Sequence, residues 1–373
     1  MTTLSDDQAV IDRVLAHIDG HSTDLSAVTW REPVASYLSE SRLVEELRVF
    51  RRQPTVFCPS AVLPEPGSYL ARDAAGAALL AARGRDGGVR VFRNACRHRG
   101  VQVAEGEGCR TAFVCPYHGW TYGLGGELRH VPHGHGFPEL EADRRGLVEV
   151  PAVERAGLVF VTQEQPAFAD TGLGELDRVL PAGSRLVRTT VQEIPANWKI
   201  LMEGFLEGYH LRATHRSTFY PRQFDNLNVV EQFGPHSRVT FPYRKVDELR
   251  GAPVHARSAA GVLTYVYHLF PNVVVATFPF NTVVIVHEPL AVDSTKVINY
   301  SLSHGAESDE QWQHGLKRSL DFQQEGANED RDVCVSIQRG LTSGANEFFE
   351  FGRFEGALSH FHDTLHKALD TVS

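Results

Sequence analysis

Two short stretches of this chain each pair a cysteine with a histidine. One reads Cys96-Arg97-His98-Arg99-Gly100, the other Cys115-Pro116-Tyr117-His118-Gly119-Trp120, and sixteen residues separate His98 from Cys115. Thiolates hold iron–sulfur clusters, and two imidazoles can replace two thiolates on one iron; this removes negative charge and raises the reduction potential. Cys96 and Cys115 are therefore assigned to one iron of a [2Fe-2S] cluster, His98 and His118 to the other. A structural Cys2His2 zinc site would use the same atoms, but such modules usually open with a Cys-x2–4-Cys pair, which this chain lacks.

A second constellation lies in Asn197-Trp198-Lys199-Ile200-Leu201-Met202-Glu203-Gly204-Phe205-Leu206-Glu207-Gly208-Tyr209-His210, followed by His215. Glu203, Glu207 and His210 are four and three residues apart, a spacing that places them on one helix face. His215 suits a helix end turning back toward the same centre. Two histidines and one carboxylate leave half of an octahedral ferrous ion open for oxygen and substrate. A lone His-x4-His pair is more often structural; a second iron site in the same chain reverses that weighting. The carboxylate is sought in Asn328-Glu329-Asp330-Arg331-Asp332-Val333-Cys334. On a helix, Asp330 shares a face with Cys334, Ile337 and Leu341, and Asp332 points away. Asp330 is preferred and Glu329 is the runner-up; the bland alternative is a solvated acidic surface.

These groups need elements to hold them. Apolar spacing predicts helices over residues 5–18, with Ser5 as N-cap, and over 42–51. From 55 to 162, short apolar runs alternate with Gly and Pro clusters, the pattern of a small all-β module of hairpins. Both Cys/His pairs follow strand-like runs there, at Val91-Phe92 and Phe113-Val114. His130, His133 and His135 sit among Pro and Gly and read as a polar surface loop. Residues 163–185 read as a connection. A helix is predicted over 197–214, then strands over 229–233, 237–243, 262–270, 273–278, 282–287 and 296–302, typical of an antiparallel sheet. A long helix runs from the Ser308-Asp309-Glu310-Gln311 cap toward Leu341, and a last one covers 357–369.

A length of 373 residues allows two or three domains. The expected division is 1–45 (N-terminal helices packing on the catalytic domain), 46–165 (cluster domain) and 166–373 (catalytic domain). Lys plus Arg is 37 and Asp plus Glu 46, a net charge of −9. That balance gives no reason to expect nucleic acid or an anionic membrane as partner. The acidic N-terminus lacks the order of a secretion signal, and no run of about eighteen apolar residues occurs. Cys58, Cys109 and Cys334 remain as reduced thiols, which suits a cytoplasm.

The chain resembles the catalytic (alpha) subunit of the Rieske non-heme iron oxygenases, the ring-hydroxylating oxygenase family. The resemblance rests on the Cys-x-His-Arg-Gly and Cys-Pro-Tyr-His-x-Trp boxes, the Asn-Trp-Lys opening, Glu-x-Tyr-His with the later His215, and the segment ending Gln338-Arg339-Gly340-Leu341. It implies an α+β protein, a small all-β Rieske domain beside a catalytic domain whose antiparallel sheet is covered by helices (helix-grip, START-like). It also implies mononuclear Fe(2+) at His210, His215 and Asp330, with O2 as co-substrate. Electrons would come from an NAD(P)H-dependent reductase, sometimes through a ferredoxin, and the oligomer would be a homotrimer. In that ring the cluster of one subunit faces its neighbour's iron, and Glu207 bridges an iron histidine and the cluster histidine His118. Aspartate is the commoner bridge. Glutamate resembles the branch acting on carnitine- and betaine-type quaternary ammonium compounds, although Leu211 replaces the Cys that often follows Tyr-His there. The implied activity is hydroxylation, cis-dihydroxylation or oxidative demethylation of a small molecule. Phe205, Tyr265, Tyr267, Phe278 and Phe280 are candidates for its pocket, against an aromatic ring or a quaternary ammonium group. The rival reading, a Rieske electron carrier, leaves Glu207, His210, His215 and some two hundred residues unexplained; a partner-binding module with a vestigial iron site would call for a replaced ligand, and none is seen.

Overall fold

The computed structural model describes residues 4–164, 172–181 and 183–372. The chain divides into two compact units, Met1–Val49 with Phe168–Ser373, and Phe50–Ala167.

The smaller unit is built of antiparallel hairpins. A five-stranded sheet has the order Glu149–Val150, Val89–Arg93, Ala77–Arg83, Ser68–Ala74, Gly106–Cys109. Two three-stranded sheets complete it: Ala152–Arg155, Leu158–Val161, Thr55–Pro59, and Phe113–Val114, Thr121–Tyr122, Leu128–His130. Its core gathers Tyr69, Leu80, Phe92, Phe113, Trp120 and Tyr122 around the buried Cys96 and Cys115.

The larger unit is organised by one seven-stranded sheet with antiparallel neighbours throughout. The order is Arg185–Ile194, Ser294–Ser303, Asn281–Ala291, Val273–Thr277, Leu263–Leu269, His236–Pro242, Val229–Phe233. Leu263–Leu269 and His236–Pro242 are buried at every position, so both faces of the sheet are covered there. On one face Tyr265 donates its hydroxyl to Asp7, at the start of the helix Asp7–Gly20 (2.8 Å). On the other, Thr264 and Val266 line a cavity that residues of the long helix Glu310–Leu341 also line. That helix begins where its cap signal lies, Asp309 accepting from the Trp312 N–H at 2.9 Å. The helix Gly356–Asp370 ends the chain.

Three sequence expectations require correction. The edge strand Arg185–Ile194 was not anticipated, because its alternation is broken by a bulge between Leu186 and Arg188. The connection expected over 163–185 lies partly outside the described residues. The single helix expected over 197–214 is two short ones, Trp198–Glu203 and Leu211–Thr214. Between them the Glu207 carboxylate accepts the N–H groups of Tyr209 and His210, which occupies donors that helix carbonyls would otherwise take. Finally, the first helix is capped by Asp6, which accepts from Ala9 N (2.9 Å), whereas the Ser5 N–H bonds Glu231.

Candidate metal centres

In the smaller unit, two turns of the same construction present the Cys/His pairs. The Gly100 N–H bonds the Cys96 carbonyl (2.8 Å), and the Cys96 N–H bonds the Val101 carbonyl (2.8 Å). The second turn repeats this, Gly119 to Cys115 (3.0 Å) and Cys115 to Trp120 (2.8 Å). Both glycines adopt φ values, 82° and 72°, that side chains disfavour. Each cysteine is thereby pinned inward while its histidine projects two or three residues later. The Nδ1 atoms of His98 and His118 converge to 3.1 Å. The His98 ring stacks on Trp120, with centroids 5.0 Å apart. The Tyr122 hydroxyl lies 3.3 Å from Cys96 Sγ and accepts the Arg97 N–H at 2.9 Å. Two buried sulfurs behind two converging imidazoles could hold a [2Fe-2S] cluster with its histidine edge outward. His130, expected on a loop, ends the strand Leu128–His130, where it pairs with Thr121; His133 and His135 are exposed on the loop that follows.

The second site is assembled from more distant parts of the larger unit. Asn197 caps the helix Trp198–Glu203 and donates its own N–H to Gln338 Oε1 (2.8 Å), which ties this segment to the long helix. Lys199 and Trp198 both donate to the buried Glu46, at 2.6 and 2.7 Å. Glu203 accepts from Tyr37 (2.6 Å) and pairs with His362 (3.0 Å). On this base, ligand atoms of His210, His215 and Asp330 lie within 4.8 Å of one another. Asp330 Oδ1 is 2.9 Å from His215 Nε2 and 3.8 Å from His210 Nε2.

Each ring therefore turns Nε2 toward Asp330, and a carboxylate takes each Nδ1. Glu207 bonds that of His210, and Glu329 that of His215 at 2.8 Å. Such a partner keeps the proton on Nδ1 and leaves Nε2 as a lone pair for a metal. Burial lowers the proton affinity of both rings, but the facing carboxylates outweigh it and hold both above the ordinary histidine value. A field that attracts a proton also attracts a divalent cation. Glu329 further accepts from Thr218 (2.5 Å) and sits on the far side of the His215 ring from Asp330. Asp332 is exposed and pairs with Arg331.

The cavity around this site is about 390 Å³. Of the five aromatic candidates, Phe205 and Phe278 line it. Tyr265 and Tyr267 do not, because alternation sends Thr264 and Val266 to the cavity face instead. Phe280 lines a separate cleft. Residues that the sequence reading missed include Arg188, which the bulged edge strand obscured, and Glu355, distant in sequence from every motif.

Residues 53–141 match the Rieske [2Fe-2S] domain, and residues 182–371 match the ring hydroxylating alpha subunit (catalytic domain). The chain belongs to the ring-hydroxylating alpha-subunit family. Members of this family are Rieske non-heme iron oxygenases, and its cofactors are a Rieske [2Fe-2S] cluster and mononuclear iron, with O2 as co-substrate. The α+β architecture expected from the sequence is that of the family. Among its relatives is the carnitine monooxygenase oxygenase subunit of Escherichia coli (strain K12), 28% identical, with 90% of this chain and 93% of that protein covered. The chloroplastic choline monooxygenase of Beta vulgaris is 25% identical, with 91% and 76% covered. A quaternary ammonium Rieske monooxygenase solved in complex with L-carnitine superposes with a TM-score of 0.76 at 19% identity, over 99% of both chains. No helix among the described residues of this Rieske oxygenase is long and apolar enough to cross a membrane.

Proposed function

We propose that this oxygenase oxidises a small quaternary ammonium compound at a carbon bonded to nitrogen. The observation that carries the choice is the charge of the cavity. Glu203, Glu207 and Asp330 line it, with Glu355, whose carboxyl burial pushes up to about 7, against the guanidinium groups of Arg188 and Arg331. A cation held there meets carboxylates and the faces of Phe205, Phe219 and Phe278, the surroundings in which quaternary ammonium groups are recognised. The sequence relatives, two of them named carnitine and choline monooxygenases, support the same substrate class.

In this reading His210, His215 and Asp330 hold the mononuclear iron, and Cys96, Cys115, His98 and His118 hold the cluster. When bound, the iron supplies oxygen activation and the cluster supplies single electrons. The protein's own part is to orient and exclude. Glu207 and Glu329 fix the two imidazole planes and their tautomers. The apolar wall formed by Val266, Ala276, Val283 and Ile285 keeps water from the reacting carbon. Glu207 also serves as the bridge between His210 and the cluster histidine, His118, of a neighbouring copy in a homotrimer. An NAD(P)H-dependent reductase, directly or through a ferredoxin, reloads the cluster, and a cytoplasmic location belongs to the same proposal.

The test is metal and sulfide analysis with EPR of the reduced protein, followed by oxygen uptake with a surrogate reductase. About three iron and two sulfide per chain are expected, with uptake stimulated by trimethylammonium compounds. Uptake coupled only to aromatic acids would overturn the substrate class, and two iron per chain after ferrous reconstitution would favour the electron carrier.

A further inference from the structure

Arg188 lies on the edge strand Arg185–Ile194, just after the bulge, opposite Ser301 on the neighbouring strand. A bulge beside a cavity re-aims the side chain that follows it. Here the guanidinium lines the iron cavity together with Thr190 and Gln192, its neighbours at two-residue intervals, and with Asn299 and Ser301. This is the cavity's polar wall. Arg188 Nη2 donates to Gln324 Oε1 at 2.8 Å, and Gln324 is in turn held by Asn328 at 3.2 Å. Among the described residues no carboxylate forms an ion pair with Arg188. A guanidinium has five N–H donors in a fixed fork that matches a carboxylate. The half-buried Arg188 thus faces a ligand cavity with a neutral partner and an uncompensated charge. Arg331, the other cation of the lining, is already paired with Asp332 at 3.1 Å.

A second observation concerns the same charge. Phe278 lines the iron cavity and also a neighbouring cleft of about 610 Å³. Arg222, Arg244, Lys245 and Arg318 line that cleft, and among the described residues no acidic one does. Arg222 stacks on Phe322 at 4.0 Å and Arg244 packs over Tyr220 and Phe224, contacts that leave their charges unneutralised.

We infer that the substrate carries a carboxylate, which Arg188 holds at the end of the cavity away from the iron site and which the basic cleft draws in past Phe278. Gln324 precedes Asp330 by six residues, about 9 Å of helix rise. The carboxylate and the reacting carbon therefore sit at opposite ends of the molecule. Combined with the proposed oxidation of a quaternary ammonium group, on which this inference rests, the substrate is a zwitterion. The two ends of the cavity match it, the carboxylates of Glu203 and Glu207 beside the iron ligands and the open guanidinium of Arg188 opposite them.

The experiment is calorimetric titration of the holoprotein with 4-(trimethylammonio)butyrate and with its primary amide, and with 3-phenylpropionate and its amide. The acid should bind the wild type about ten- to a hundredfold more tightly than the amide, the range of a charge-assisted hydrogen-bonded pair. Arg188→Gln should bring the acid down to the amide, and Arg188→Lys should restore part of the difference. In turnover, Arg188→Gln should raise KM for the acid and leave kcat nearly unchanged. Unaltered cluster absorption and EPR certify the variants. Equal binding of butyrate betaine and its amide to the wild type, which needs no variant, overturns the carboxylate anchor and leaves the ammonium reading standing. Binding confined to 3-phenylpropionate and abolished in Arg188→Gln does the reverse: it keeps the anchor and removes the ammonium group.

Discussion

The two candidate metal sites of this protein surround their histidines differently. At the cluster site, cysteines 4% and 3% exposed lie behind histidines on the outer edge, and no ion pair to His98 or His118 is present among the described residues. At the iron site both histidines have a carboxylate on Nδ1 and a second one facing Nε2. A carboxylate behind an imidazole raises its basicity and favours a hard dication. Within one chain His98 and His118 have no such carboxylate among the described residues; the one proposed for His118, Glu207, would come from a neighbouring copy.

The largest effect should come from removing Asp330, the carboxylate to which both Nε2 atoms turn. Asp330→Ala is expected to lower iron from about three to about two per chain, abolish turnover and leave the Rieske EPR signal intact. Asp332→Ala, on the exposed side of the same helix, should change neither. If Asp332→Ala loses the mononuclear iron and Asp330→Ala does not, the ligand set is wrong.

The cluster site was legible because it is local. Its four residues fall within two turns whose spacing, glycines and flanking strands all stand in one short stretch of sequence. The iron site was half legible. His210 and His215 share a segment, but Asp330, the acid that converges on them, lies on a helix more than a hundred residues later, and only helical periodicity separated it from Asp332. The break after Glu203 could not be read, because a carboxylate that binds its own backbone leaves no pattern of apolar spacing. Arg188 was hidden for a related reason: a bulge shifts alternation by one residue, so the strand that carries it does not look like one.

The next effects probe the carboxylates behind the iron histidines. Glu329→Gln keeps a hydrogen-bond acceptor on His215 but removes the charge, and ferrous affinity should fall about ten- to a hundredfold in a chelator competition. Glu207→Ala should retain both iron centres at saturating iron and lose turnover, because Glu207 is proposed to join His210 to the neighbouring cluster as well. Normal turnover with normal coupling would remove that role. If Glu329→Gln binds iron as the parent does, the contrast between the two histidine pairs loses its chemical meaning.

A smaller change sharpens the comparison from the cluster side. Among the described residues, the Tyr122 hydroxyl is the one side-chain hydrogen-bond partner of Cys96 Sγ. A donor on sulfur stabilises the reduced cluster, so Tyr122→Phe should lower its potential by roughly 20–60 mV, the equivalent of one ordinary hydrogen bond. Protein-film voltammetry would read it directly. An unchanged potential would mean that the hydroxyl gives its proton elsewhere and serves only as acceptor for the Arg97 N–H.

Acid should also distinguish the two units. In the larger one, burial alone would push the Glu32 carboxyl up, but His366 at 3.0 Å, His362 and the Ser36 hydroxyl at 2.7 Å outweigh it and hold Glu32 down at about 2. A depressed carboxyl stabilises the fold fully above its unfolded value of 4.5, and that contribution disappears as pH falls through about 2. Glu32→Gln should therefore cost about 1–3 kcal/mol at neutral pH. Parent and variant should converge between pH 4.5 and 2 in urea titrations followed by tryptophan fluorescence. In the smaller unit Glu154 is also depressed, chiefly by Arg83, but this pair is partly open to solvent, so Glu154→Gln should move stability by less than about 1 kcal/mol. A Glu32→Gln deficit that persists unchanged at pH 2 would show that the side chain acts through packing and not through its charge.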